Sequence, residues 1–187
     1  SDLLLHCLAL LLSFQTAVLA QDDTLRVMVY NILQFPDPVP AGRSDTLHNI
    51  IEDIRPNLMM INELKSVAGS NAILDNALNA GGSSDWRAVP YESNSSSGAN
   101  LVNMAYYDQT LLSFYSHEVH RTGLRDINEY SLTFTKDGAS IPMDLYASHL
   151  KASDGSTNEA RRKLAIDNLK AHLASINRSE EHTSELQ

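Results

Sequence analysis

The sequence feature that most constrains the fold is a run of four apolar residues, Leu58 to Ile61, which follows Pro56 and ends two positions before Glu63. A continuous apolar run cannot be one face of an exposed strand or helix, so it predicts a strand that is buried on both faces. Glu63 then lies at the carboxyl end of that strand, where layered α/β proteins open into a crevice that collects ligands and metals. The alternative is that Glu63 merely solvates the strand end.

The preceding segment predicts a parallel neighbour for this strand. Residues 25–33 are rich in β-forming residues and predict a strand that carries the polar Asn31 near its end. After a loop, Leu47, Ile50, Ile51 and Ile54 recur at helical spacing, and Pro56 ends this predicted helix. A strand, a helix and a second strand form a crossover whose two strands run parallel. Asn31 and Glu63 are therefore expected at the same edge of one sheet.

The rest of the chain predicts a single α/β domain. A second helix is expected over residues 70–80, and a last helix begins at the capping box Ser156-Thr-Asn-Glu159 and continues to residue 176. Further strands are expected over residues 86–91, 101–107, 111–119, 130–135 and 140–148, with a hairpin turn at Asp137-Gly138. The strands are expected to extend one mixed sheet.

Composition limits the function classes. Hydrophobic residues make up 43% and charged residues 20% of the 187 residues, which is typical of a soluble globular protein. The formal net charge is −9. An acidic domain without a basic, aromatic-rich face gives no support to a nucleic-acid surface, whereas it suits a protein that collects divalent cations.

The two ends of the chain differ from the middle. Leu3 to Leu12 is almost continuously apolar, and Ala17-Val-Leu-Ala20 follows as a small-residue cleavage pattern. Residues 1–20 are therefore predicted to be a signal peptide with an incomplete start, which implies no stable membrane anchor after cleavage and a secreted or periplasmic protein. A retained anchor is the alternative. Cys7, the sole cysteine, lies in this segment. Residues 178–187 resemble a translated sequencing adapter, or else form a genuine polar tail; residues 21–177 are the expected domain.

Three predicted strand ends carry polar side chains: Asn31, Glu63 and His149. A carboxylate and an amide oxygen are hard ligands that suit Mg²⁺, Mn²⁺ or Ca²⁺ rather than zinc. A nearby imidazole can donate to a phosphate oxygen or hold a water, so the set fits metal-assisted phosphoester hydrolysis. Each residue also has a structural alternative: Asn31 could bond its own turn, and His149 could be a satisfied structural histidine.

Several stretches, taken in order over residues 25–176, resemble the deoxyribonuclease I-like endonuclease/exonuclease/phosphatase superfamily. They are Tyr30-Asn31, Pro56-Asn57 leading to Asn62-Glu63, Asn103-Met-Ala-Tyr-Tyr107, Leu124-Arg-Asp126 with Tyr130, Ser148-His-Leu-Lys151 and Arg161-Arg162. The resemblance implies the N-terminal half of a four-layer α/β sandwich with mixed sheets.

The resemblance also implies roles for particular residues. Glu63 corresponds to the metal-ligating glutamate of the family, although Asn62 replaces the usual glutamine before it, and Asn31 corresponds to the amide that helps to orient the metal. His149 corresponds to the catalytic histidine that contacts the scissile phosphate. Arg125 and Asn103 are expected to bind the substrate phosphate, although a surface ion pair is an equal alternative for Arg125.

The later motifs of the family, Gly-Asp-x-Asn and a terminal Ser-Asp-His, are not found in this sequence. We therefore expect a truncated, exported phosphoester hydrolase that depends on Mg²⁺, Mn²⁺ or Ca²⁺ and is inactive as this chain alone. Its phosphoester substrate, of the nuclease, phosphatase or sphingomyelinase type, is not specified. The alternative is a secreted binding or adhesion module that keeps the fold without the chemistry.

Overall fold

The computed structural model describes residues 24–37, 41–95, 101–122 and 125–184, with side chains described as far as residue 176. The expected signal peptide lies outside these residues. No helix among the described residues is both long enough and apolar enough to cross a membrane.

The first sheet has four strands in the order β1-β2-β4-β3. Its strands are β1 (Val27–Phe35), β2 (Leu58–Leu64), β3 (Trp86–Ala88) and β4 (Val102–Asp108). Strands β1 and β2 are parallel and set Asn31 opposite Asn62, whereas β4 is antiparallel to both β2 and β3. The sheet is therefore mixed, and the predicted parallel pairing is confirmed.

Two helices cover the outer face of the first sheet. Helix α1 (Arg43–Ile54) connects β1 to β2, and α2 (Val67–Ile73) follows β2 and widens into a π-helical turn at Leu74–Leu78. The Ser66 side chain caps α2 by accepting a hydrogen bond from the Gly69 amide. A Cβ on Gly69 would lie 2.9 Å from the Pro36 Cδ atom, so glycine permits α2 to approach the end of β1.

The second sheet contains β5 (Leu112–His120), β6 (Ile127–Lys136) and β7 (Ala139–Ala147) and is antiparallel throughout. The expectation of one continuous mixed sheet was therefore wrong. After the Asp108 turn, β5 pairs with β6 instead of extending the first sheet, and Phe114 stacks on Tyr107 of β4 with ring centroids 6.4 Å apart. The predicted Asp137-Gly138 hairpin is confirmed.

The two sheets pack face to face, with β4 against β6 and β2 against β7. Helix α3 (Ser156–Ser184) lies on the outer face of the second sheet, where His172 contacts Glu129 of β6. The layers are thus helices, sheet, sheet and helix, which confirms the expected partial α/β sandwich. Strand β1 remains partly uncovered, since Val29 is 64% and Leu33 is 67% exposed.

Two predicted helix boundaries were wrong. Helix α2 begins at Val67, ahead of the predicted residue 70, because the Ser66 cap starts it earlier. Helix α3 does not break at residue 178 but continues to Ser184, since the Arg, Glu and His residues that follow are tolerated in helices.

Candidate active site

Asn31 and Glu63 come together at the carboxyl ends of the parallel strands β1 and β2. The Asn31 Nδ2 atom donates to the Glu63 Oε1 atom at 3.2 Å, and the Asn31 Oδ1 atom accepts from the Leu33 amide at 2.8 Å. The parallel pairing of β1 and β2 explains why Asn31 and Glu63 are in contact, because it places the carboxyl ends of both strands at the same edge of the sheet.

The backbone at these strand ends adopts a conformation that is uncommon for residues other than glycine. The φ angles are +44° at Leu33, +55° at Gln34 and +67° at Glu63. Side chains with a Cβ disfavour this left-handed region, and such strain concentrates at functional sites. The positive φ at Glu63, one residue before the end of β2, accompanies the direction of its carboxylate towards Asn31 and His149.

His149 and Arg125 reach the same place from the second sheet. His149 follows β7, and its Nε2 atom lies 3.6 Å from the Glu63 Oε1 atom, with both side chains largely buried. The Arg125 Nη1 atom lies 2.9 Å from His149 Nε2 and 3.3 Å from the Leu150 carbonyl oxygen. The structure therefore brings Asn31, Glu63, His149 and Arg125 together.

The environment of His149 favours the neutral imidazole. Burial lowers the pKa of His149, the Arg125 guanidinium lowers this pKa further, and the Glu63 carboxylate opposes both effects. Because arginine only donates, the contact with Arg125 assigns Nε2 of His149 as the acceptor and Nδ1 as the protonated atom. His149 thus holds a proton on Nδ1 beside a carboxylate and a guanidinium.

Asn103 lies behind the site and joins the two sheets. It is 4% exposed, its Oδ1 atom accepts from Asn62 Nδ2 at 2.7 Å, and its Nδ2 atom donates to the Asp126 and Ala147 carbonyl oxygens at 3.1 and 3.0 Å. Since these bonds use both donors of the amide, the structure places Asn103 away from the surface where the resemblance implies a phosphate contact. Its bonds hold the Asn62 side chain beside Glu63, the backbone at Asp126 beside Arg125 and the backbone at Ala147, two residues before His149.

Sequence reasoning assigned no role to Asp126, which organises the loop that carries Arg125. Asp126 is 1% exposed and accepts hydrogen bonds from the Ser95 amide at 2.6 Å, the Ser95 hydroxyl at 2.8 Å and the Thr122 amide at 3.1 Å. A buried carboxylate requires such partners. The signal that could have revealed it is an acidic residue directly before the apolar start of β6.

The donor set fits a hard divalent cation. Glu63 supplies a carboxylate, and Asn31 would supply its amide oxygen once the amide turns, because Nδ2 now faces Glu63 and Oδ1 accepts from the Leu33 amide. Mg²⁺ retains several waters and needs few protein oxygens, so two such ligands suffice to attach it. The nearby His149 and Arg125 side chains supply donors for an anionic oxygen of a substrate.

Comparisons with known proteins bear on the fold. No protein-family model and no curated protein sequence matches the chain. Among solved structures, the chain is similar to D. rerio TDP2 complexed with a single-strand DNA product, with a TM-score of 0.56, 14% identity, and coverage of 83% of this chain and 56% of that one. It is also similar to the human Nocturnin catalytic domain with a bound sulfate anion, with a TM-score of 0.58, 16% identity, and coverage of 82% and 60%.

A humanized D. rerio TDP2 gives a TM-score of 0.56 at 12% identity, with coverage of 78% of this chain and 57% of that one. The chain thus spans less than two thirds of the length of each of these structures. At such low identity the similarity concerns the fold. The chain shares the α/β sandwich fold of these structures, which confirms the fold expected from the sequence resemblance.

Proposed function

We propose that the protein to which this chain belongs is a divalent-metal-dependent phosphoester hydrolase. The observation that supports the proposal most strongly is the convergence of Asn31 and Glu63 from the first sheet with His149 and Arg125 from the second. These residues are distant in sequence and combine metal-binding oxygens with phosphate-binding donors.

In the proposed mechanism, Glu63 and Asn31 would hold Mg²⁺ or Mn²⁺, which when bound would supply positive charge to the phosphoryl oxygens. Arg125 supplies a fixed positive charge to the same oxygens. His149 donates a hydrogen bond from its protonated ring nitrogen to one of them. Asn103 acts as a positioning residue, because it holds the backbone segments that carry the other groups.

The substrate class is proposed from the chemistry of the site. Among the similar structures, one is complexed with a single-strand DNA product and another holds a sulfate anion, and both ligands carry tetrahedral oxyanion groups. For this chain we propose a phosphoester as substrate. We further propose that residues 1–20 direct export, and that the 187-residue chain alone lacks turnover because it spans only part of the fold.

The test is hydrolysis of bis(p-nitrophenyl) phosphate by the complete protein that contains this chain, with and without Mg²⁺ or Mn²⁺. We expect metal-dependent turnover that Glu63→Gln lowers by about 10³-fold, since it removes the charged ligand. His117→Gln is the matched control, because His117 bonds Asn128 and none of the four converging residues. Turnover that Glu63→Gln leaves unchanged would refute Glu63 as the metal ligand, and the lack of metal-dependent turnover by the complete protein would refute the proposal and favour a binding module.

A further inference from the structure

A second cluster of ionisable side chains lies between the second sheet and helix α3. Glu118 and His120 belong to β5, Glu129 to β6 and His172 to α3. The proposed mechanism uses none of these residues. Their positions follow from strand alternation, because Glu118 and His120 are two residues apart and share a face of the sheet.

The two histidines converge on one carboxylate. The Nε2 atom of His120 lies 2.6 Å from Oε2 of Glu129, and Nε2 of His172 lies 2.8 Å from the same oxygen. The rings of His120 and His172 have centroids 4.1 Å apart. The contact between His120 and Glu129 is a hydrogen bond. The contact between His172 and Glu129 is not aligned as a hydrogen bond, so the buried Nε2 atom of His172 has no hydrogen-bond partner among the described residues.

Two carboxylates in this cluster lie opposite each other. Glu118 and Glu129 are directly paired across β5 and β6, an arrangement that is unfavourable for like charges unless a cation offsets it. Tyr146 of β7 is opposite Glu129 in turn. Burial and the adjacent Glu129 carboxylate raise the pKa of Tyr146 to about 12, so its hydroxyl stays protonated and donates to Glu129.

The geometry suits a transition metal. Glu118, His120 and His172 each offer one potential ligand atom, and these three atoms lie within 4.8 Å of one another. Tetrahedral ligands at zinc distances of about 2.1 Å are separated by about 3.4 Å, so modest side-chain rotations close the set. Two imidazoles and a carboxylate favour Zn²⁺ over Mg²⁺, which prefers oxygen ligands.

We propose that Glu118, His120 and His172 form a Zn²⁺-binding site that joins α3 to the second sheet. Glu129 orients the His120 imidazole through a hydrogen bond to Nε2, as carboxylates commonly do for metal-bound histidines, and its Oε2 also lies 2.8 Å from Nε2 of His172. The site is structural: it offsets the opposed carboxylates and fixes the helix on the sheet. It is separate from the proposed hydrolytic site and does not depend on that function.

The experiment is calorimetric titration of the full chain with ZnCl₂, carried out on the Glu63→Gln protein so that the other site does not contribute. We expect one equivalent of Zn²⁺ to bind and Mg²⁺ to give no heat at this site. His172→Gln should weaken Zn²⁺ binding by at least about 100-fold. Glu129→Gln should weaken it by about 10- to 100-fold, the range for a partner that orients a ligand.

His117→Gln is the matched control, since His117 lies on the same strand and bonds Asn128 instead; it should bind Zn²⁺ like the parent. Thermal melting of each variant separates loss of the site from loss of the fold. Co²⁺ absorption in the visible region provides a second readout of tetrahedral ligation. Zn²⁺ affinity that is unchanged in a folded His172→Gln protein would overturn the proposal, as would binding of no stoichiometric Zn²⁺.

Discussion

The two sheets of the sandwich place histidines and carboxylates together in different ways. In the first sheet, parallel pairing of β1 and β2 brings Asn31 and Glu63 to one edge, where the backbone leaves its regular conformation. In the second sheet, antiparallel pairing sets Glu118 and Glu129 side by side on a regular face. The first arrangement opens towards ligands at strand ends, whereas the second is covered by a helix.

This difference separates a site suited to chemistry from one suited to structure. Strained strand ends cost stability and are kept where they position reactive groups. Face-to-face pairs in a regular sheet carry no such strain and contribute through charge compensation. We therefore expect activity to depend on the strand-end cluster, which consists of Asn31, Glu63, Arg125 and His149. We expect stability to depend on the covered cluster beneath α3, which consists of Glu118, His120, Glu129 and His172.

The largest expected effect is on catalysis by the complete protein. His149→Ala should lower kcat/KM for bis(p-nitrophenyl) phosphate by about 10³-fold, because it removes a group that we propose contacts the phosphate. His120→Gln, which changes a histidine of the covered cluster, should alter kcat/KM by less than about 3-fold in folded protein. Equal losses in the two variants would erase the distinction between the clusters.

The next effect concerns stability in the covered cluster. Glu129→Ala should lower the free energy of unfolding of the metal-free chain by about 3 kcal/mol, since it removes the shared partner of His120, His172 and Tyr146. Guanidinium chloride unfolding measures the change. Glu118→Ala, at the exposed partner across the strand, is the control and should be neutral or stabilising because it relieves the repulsion between the two carboxylates.

Backbone strain next to the strand-end cluster predicts a substitution that raises the free energy of unfolding instead of lowering it. Leu33 has a φ of +44° and is 67% exposed, so Leu33→Gly removes little packing and should raise the free energy of unfolding by about 1 to 2 kcal/mol. Leu33→Ala keeps the Cβ and should bring no such gain. Equal stability of the glycine and alanine variants would show that the backbone there is unstrained.

The smallest expected effect is on the free energy of unfolding, when one buried tyrosine in each sheet is replaced by phenylalanine. Tyr106 of β4 donates its hydroxyl to the Ser70 hydroxyl at 3.1 Å, whereas Tyr130 of β6 has no hydrogen-bond partner for its hydroxyl among the described residues. Tyr106→Phe should cost about 1 kcal/mol, and Tyr130→Phe should be neutral or stabilising. Thermal unfolding of both variants checks the ranking, and a larger loss for Tyr130→Phe would reverse it.

Local sequence patterns predicted most of the first sheet. The apolar run before Glu63 and the helix before it imply a parallel crossover, and parallel strands align their ends, so the proximity of Asn31 to Glu63 could be anticipated. The approach of His149 was expected from the resemblance. These inferences depend only on the order of the strands and helices along the chain, and not on which residues pair between neighbouring strands.

The covered cluster could not be predicted in this way. Its formation requires the register that sets Glu118 opposite Glu129, a separate second sheet, and the placement of His172 over that sheet. Asn103 illustrates the same limit, since its strand was predicted but its role as a link between the sheets depends on their packing. Long-range pairing decides such contacts, and a single sequence does not reveal it.

The central claim is that Asn31 and Glu63 hold a divalent cation beside His149. The most direct measurement is Mn²⁺ binding to the full chain, followed by the loss of the electron paramagnetic resonance signal of free Mn²⁺, in the parent, Glu63→Gln and His172→Gln proteins. The account predicts one Mn²⁺ site that Glu63→Gln abolishes and His172→Gln leaves intact. Binding that survives Glu63→Gln, or no Mn²⁺ binding by the parent chain, would contradict it.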